Sequence, residues 1–289
     1  MTATANRAGG REPLEERLKE RAPLVSECLT LVFSSDASLA EHLDSIDLVF
    51  REVGDPLKKV WIEDEAGRTK SVAADQAIAW LRQHPGFRTY AAMPESERGN
   101  DRATWLSSAM AFNLQPYRKT LFLGIPCAQT GSGAFAMHLR LLRYILERQK
   151  TEPTYGFGFR RPYGLGPGSY SMGVNLLSGG MYPTPDDMQR VIAWSTELTG
   201  NPEKFPKRHR HTKGMILDVF PLNILSDVHL SQQVNGVELR QWILQSTGTD
   251  SLVELSRHCF VWLVDEVDVS RLSGALAGAG LILAKDPAR

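Results

Sequence analysis

Lys59-Val60-Trp61-Ile62-Glu63, then Glu65-Ala66-Gly67-Arg68, then Thr69-Lys70-Ser71-Val72 reads as two extended runs folded back across a polar, glycine-containing turn. Short runs of this kind, bounded by such a turn, predict a β-hairpin. A hairpin pairs its strands antiparallel, whereas a parallel pair needs a crossover of a dozen residues or more. Upstream, Val25, Leu29, Leu31, Val32 and Phe33 mark a largely buried strand over Leu24–Phe33. Ser38 with Glu41 forms a capping box, and Leu39, Leu43, Ile46 and Phe50 follow at helical spacing before Gly54 and Pro56. Downstream, Asp75–Arg82 gives a short helix closed by Pro85-Gly86, and Glu95–Arg102 is a polar loop. Trp105–Leu114 and Lys119–Pro126 are two further strands.

Ser132 opens a helix whose stripe is Phe135, Leu139, Leu142, Ile145 and Leu146. In Tyr155-Gly156-Phe157-Gly158-Phe159, aromatics alternate with glycines, which suits a strand that another backbone approaches closely. A glycine-rich, turn-filled stretch follows. Thr184-Pro185-Asp186-Asp187 is a helix start: hydroxyl cap, proline at the first position, acids at the positive end of the dipole. Residues 201–213 are a basic connector. Met215–Phe220 reads as a short strand, Leu252–Leu255 with His258–Val264 as a strand pair, and Asp268 as the cap of a last helix stopped by Gly280. Strands and helices alternate without a regular βαβ period, and no 20–50-residue repeat is visible. The expected fold class is α+β, a mixed, largely antiparallel sheet flanked by helices. Residues 1–22 are expected to form a polar arm and 23–289 a single domain.

The 289 residues are 42% hydrophobic and 23% charged, enough apolar material for a substantial core. Thirty-three basic residues balance 33 acidic ones. This argues against a general binder of nucleic acid or anionic membrane, which needs a basic surplus. Three cysteines, Cys28, Cys127 and Cys259, are odd in number and widely spaced, so a disulfide framework is not expected and a reducing compartment is. No run approaches the ~20 apolar residues of a membrane span, and Met1–Lys19 lacks the apolar core of a secretory signal. The expected location is cytoplasmic.

Chemistry-bearing patterns are few. Gly124–Gly133 is a glycine loop between a strand and a helix, a place where free N–H groups can hold phosphate. It lacks the Walker lysine and hydroxyl, and no GxGxxG is present; its plainer reading is a turn. No serine sits in a G-x-S-x-G elbow. His209 and His211 lie among Lys207, Arg208 and Arg210, which repel a cation. No lysine has an acid two positions earlier, so the common restriction-type nuclease core is absent. Cys259 adjoins His258, but neighbours on a strand point to opposite faces. No catalytic residue, metal or cofactor is expected. Arg160, Arg161, Tyr163 and Tyr170 surround glycines 164, 166 and 168, and Arg and Tyr dominate interface energetics. They are candidate partner-binding residues, with a structural turn as the other reading. Glu63-Asp64-Glu65 and Asp265-Glu266-Asp268 are acidic clusters whose plainer readings are a turn and a helix cap.

From Lys213 the chain runs Lys213-Gly214-Met215-Ile216-Leu217-Asp218-Val219-Phe220-Pro221-Leu222-Asn223-Ile224-Leu225-Ser226, then His229-Leu230, then Gly236-Val237-Glu238-Leu239-Arg240-Gln241-Trp242-Ile243. This resembles a family of type VI secretion system immunity proteins, the TsiT/TsiV types, that neutralise nuclease effectors. The matching positions are Asp218, Phe220, Pro221, Asn223, Leu225, His229 and Leu230, then Gly236, Leu239, Trp242 and Ile243; the family's basic residue before the aspartate is replaced by Leu217. The resemblance covers roughly residues 100–283 and implies an antitoxin that is not an enzyme. It further implies a cognate toxin effector as partner, without direct contact to nucleic acid or membrane. A small-molecule enzyme holding phosphate at Gly124–Gly133 is the alternative. Read from the residues alone, Asp218 and Asn223 bond backbone around Pro221, while Leu239, Trp242 and Ile243 share one helical face. Asp218, Pro221, Asn223, His229 and Trp242 are thus a fold signature.

Overall fold

Val25–Phe33 form β1, and every residue after Val25 is buried. A strand buried on both faces must lie inside a sheet with layers on either side. The computed structural model describes residues 23–33, 39–63, 68–84, 89–94, 108–112, 120–130, 135–148, 152–172, 185–199 and 213–286, with Glu20, Ala66 and Gly133. The polar arm is therefore outside the described residues apart from Glu20, and so are Ser38, Asp64, Ser132, Thr184, His209 and His211.

The sheet's remaining strands are β2 (Leu57–Glu63), β3 (Thr69–Ala73), β4 (Thr89–Pro94), β5 (Ser108–Phe112), β6 (Thr120–Pro126), β7 (Pro153–Pro162), β8 (Leu222–Leu225), β11 (Leu252–Ser256) and β12 (Cys259–Leu263). With β1 they make one ten-stranded sheet in the order β11-β12-β8-β7-β1-β6-β5-β4-β2-β3, and every pairing in it is antiparallel. The fold is α+β, as expected. The β2–β3 hairpin is present, with Trp61 opposite Ser71. Strand β4 had no sequence signal of its own. A separate two-stranded ribbon, β9 (Gln233–Val234) and β10 (Val237–Glu238), turns through Asn235 and Gly236 at φ 51° and 84°. Positive φ at both central residues is the requirement of a tight hairpin turn, and Asn-Gly meets it.

Helices α1 (Leu39–Glu52), α2 (Ala74–Gln83) and α3 (Ala136–Arg148) cover one face, packing Leu43, Ile46, Phe50, Leu141 and Ile145 against Leu29, Leu31 and Phe33. The other face carries Cys28, Val32, Tyr155, Phe157 and Phe159. It is covered by α4 (Pro167–Met172), α5 (Pro185–Thr199), α7 (Leu239–Thr247) and α8 (Glu266–Gly278), through Tyr170, Trp194, Ile243, Leu272 and Leu276. A one-turn helix, α6 (Asp227–Leu230), follows β8. Among the described residues, no helix is long and apolar enough to cross a membrane.

Two expectations are corrected. Met215–Phe220 is not a strand: Ile216 makes one isolated parallel bridge to Ile282, and regular pairing begins only at Leu222. Backbone bonds to residues 281–284 and side-chain bonds share that stretch's hydrogen bonding. Leu217 N–H donates to Tyr155 Oη at 2.7 Å and Val219 N–H to Asp218 Oδ1 at 2.8 Å. The last helix starts a turn earlier than read, with Asp265 at its N-cap and Asp268 inside, paired with Arg271. Its stop is as expected, Gly280 at φ 74°.

Candidate functional site

Alternation along β7 sorts its side chains. Tyr155, Phe157, Phe159 and Arg161 point to the second face, and Gly156, Gly158 and Arg160 to the first. Arg160 and Arg161 therefore cannot serve one surface. Arg161 is buried, its guanidinium 3.9 Å above the Tyr170 ring and 3.8 Å from Asp286. Tyr170 is buried as well, stacked on Trp194 with its hydroxyl donating to Asp286, and the Trp194 indole N–H donates to Tyr170 O. Tyr163 is buried in the short turn after β7. Three of the four proposed contact residues thus sit in the interior, which corrects the picture of an exposed arginine loop. Arg and Tyr beside glycines gave the right residue types for an interface; the strand period gave the wrong geometry for one.

The signature residues are also internal. Asp218 is fully buried and accepts hydrogen bonds from Val219 N–H, Ser273 Oγ–H and Asp286 N–H. It ties the start of the motif to α8 and to the C-terminal strand-like segment. Asn223 bonds Phe220 on both sides, accepting from its N–H and donating to its C=O, and so closes the turn around Pro221 as read. His229 Nδ1 accepts from Ser226 N–H and lies 2.8 Å from Ser226 Oγ, capping α6, while its ring stacks on Tyr155. Trp242 is partly buried, edge-on to Trp262.

A third network was not foreseen. Glu27, in the middle of buried β1, has its carboxylate fully buried. Arg160 Nε and Nη2 donate to Glu27 Oε2 at 3.1 and 2.9 Å, and His138 Nδ1 lies 3.1 Å from Oε1. Burial pushes the Glu27 carboxyl up, but hydrogen bonds from His138, Arg160 and the Phe135 backbone outweigh it and hold it below the ordinary range. An ionised carboxylate requires the proton on His138 Nδ1. The buried Nε2 has no hydrogen-bond partner among the described residues. Phe135, next to this network, holds φ 57°, an unusual value for a large residue.

This pair has a pH signature. A carboxylate with a depressed folded pKa stabilises the fold above its unfolded value, about 4.3, and that contribution fades as pH falls through the folded value. Glu27→Gln should cost about 3–5 kcal/mol at neutral pH and flatten the acid limb of a stability–pH curve measured by urea melts. A limb as steep as that of the unsubstituted chain would show that Glu27 contributes nothing there.

Arg160 leads out to a surface cleft of about 470 Å³. Its apolar floor is Phe135, Pro221, Leu263 and Val264; Asp250, Asp265, Glu266 and Asp268 supply four carboxylates around it. Among the described residues Arg160 is its one lining cation, already bonded to Glu27 and 3.9 Å from Glu266. Elsewhere, the Gly124–Gly133 stretch begins inside the sheet: β6 runs through Gly124 to Pro126, and Thr130 Oγ donates to Cys127 O in the short turn that follows. Burial pushes Cys259 up to about 12 and raises Cys28 and Cys127, so all three are thiols at neutral pH. Exposed His258, in the β11–β12 turn, pairs with Asp227 at the start of α6. Among the described residues, no three His, Cys, Asp or Glu side chains are grouped to hold a metal. The basic cluster around His209 lies outside the described residues.

The fold has a solved counterpart. The Pseudomonas aeruginosa T6SS protein PA0821 aligns over 90% of this chain and 77% of its own, with a TM-score of 0.52 and 13% sequence identity. At that identity the likeness is one of architecture. No protein-family profile matches the sequence, and no curated protein matches it.

Proposed function

We propose that this chain is a type VI secretion immunity protein, which binds a cognate toxin effector of nuclease type and obstructs its active site or its assembly. The observation that carries the reading is the architectural likeness to a T6SS protein over nine-tenths of the chain. The 213–243 motif points the same way, and the structure gives those residues turn-closing and capping work. The polar side chains that could have suggested catalysis, Glu27, His138, Arg161 and Asp218, are committed to internal bonds. Their absence from any solvent-facing cluster suits a molecule that acts by covering another.

Protection requires little free toxin, so the complex should have a Kd in the nanomolar range or below, about −12 kcal/mol or better. The test is co-expression with the product of an adjacent toxin reading frame, followed by co-purification, a survival assay and DNA cleavage in vitro. A stable complex, rescued growth and lost cleavage are the expected results, with no affinity of this chain for DNA. No complex and no rescue would end the proposal.

A further inference from the structure

We infer that the cleft between β7, β12 and the start of α8 is the effector-docking surface, and that it takes a lysine- or arginine-bearing segment of that protein. This rests on the immunity reading above and adds the place and chemistry of contact. Asp250 leads into β11, Asp265 and Glu266 open α8, and Asp268 follows one position after Val267. These carboxylates are not an isolated cluster, because they rim a cavity of about 470 Å³ over an apolar floor. Such a combination, apolar floor and charged rim, fits the body and tip of a long cationic side chain.

The ordinary explanation for acids at this place is helix capping, and the geometry does not use them for it. Asp265 occupies the N-cap of α8, yet its side chain makes no capping hydrogen bond. Asp250 and Asp265 form no ion pair among the described residues, whereas Asp268 is held by Arg271 and Glu266 lies beside Arg160. Arg160 does little to neutralise the rim, since two of its nitrogens already serve the buried Glu27. A chain with no net charge therefore carries a locally negative concavity. Beside it stands Val267, 89% exposed in the first turn of α8, and Leu263 in the floor is 36% exposed. That valine, between Glu266 and Asp268, adds apolar surface beside the charged rim. A nuclease surface must be cationic where it meets phosphate, so charge complementarity selects such a segment of the effector as occupant.

The test compares three proteins: the unsubstituted chain, Asp250→Asn with Asp265→Asn, and Glu41→Gln with Asp75→Asn in the first turns of α1 and α2, outside the cleft lining. Asparagine keeps the capping capacity of Asp265, so equal melting of all three is the check on folding. The probe is the product of the adjacent toxin reading frame in a catalytically inactive form. The cleft pair should raise Kd tenfold or more and reduce its dependence on salt, and Val267→Asn, which removes the exposed apolar contact without changing charge, should raise it as well. The Glu41 and Asp75 pair should leave Kd unchanged. Equal Kd for the cleft pair and the unsubstituted chain overturns the docking site and leaves the immunity reading standing. Failure of the unsubstituted chain to bind removes both. Dimerisation of the unsubstituted chain, abolished by the cleft substitutions, would reassign the surface to a second copy and overturn the proposal.

Discussion

Asp218→Ala is expected to destabilise the protein by about 3–5 kcal/mol, because it removes a fully buried charged acceptor from three donors at once. Ser273 Oγ–H and Asp286 N–H come from elements 55 and 68 residues away, and neither has a water-exposed alternative nearby. The C-terminal segment should suffer most. Ile216 N–H bonds Leu281 O, Leu283 N–H bonds Ile216 O and Ala284 N–H bonds Leu217 O, so Asp218 closes one end of a backbone zipper. That same end is held by Asp286, whose N–H donates to Asp218 and whose carboxylate receives the Tyr170 hydroxyl and faces Arg161. Asp218→Asn keeps the shape but must point an N–H at a donor, so a smaller loss is expected. Urea melts give the stability, and hydrogen exchange at Leu283 and Ala284 gives the local effect. A change below 1 kcal/mol with protected tail amides would mean that the zipper holds without the carboxylate.

Much of this was legible in the sequence. The buried strand at 24–33, the 59–72 hairpin and the Gly-aromatic strand follow from period and turn chemistry that act over a few residues. The Asn223 turn around Pro221 was readable for the same reason. Long-range pairs were not. Glu27 sits within a run of apolar neighbours, and a charge there is a signal in itself, since buried carboxylates are rare unless paired. Its partner His138 lies 111 residues away on α3, a helix whose apolar stripe could be traced without the histidine. Arg160 and Arg161 failed differently. Reading them as a loop ignored that β7 continues to Pro162, and a strand sends neighbours to opposite faces. Of the cleft's acidic rim only the Asp265-Glu266-Asp268 run was legible, because Asp250 joins it through the fold.

Gly156→Ala should cost about 3 kcal/mol, towards the upper end for overpacking, and a failure to fold at 37 °C would not be surprising for so central a position. β7 lies between β1 and β8, with Gly156 opposite Leu31 on one side and Ile224 on the other. A Cβ there would stand 2.6 Å from Thr30 O and 3.0 Å from Ile224 and Leu31 side-chain carbons. The side chains can turn aside. The carbonyl cannot, because it belongs to the backbone of a strand paired on both edges. Gly158→Ala meets Leu222 at 2.7 Å and Phe135 at 2.9 Å, all side-chain atoms, so partial relaxation should make it the milder of the two. Gly274, inside α8 with nothing within 4 Å of its Cβ position, should behave oppositely: Ala there is expected to gain about 0.5–1 kcal/mol. The ordering of these three variants by chemical melts separates close backbone approach from the generic cost of glycine. If Gly156→Ala and Gly274→Ala shifted stability in the same direction, the two inner strands would have to be further apart than their pairing implies.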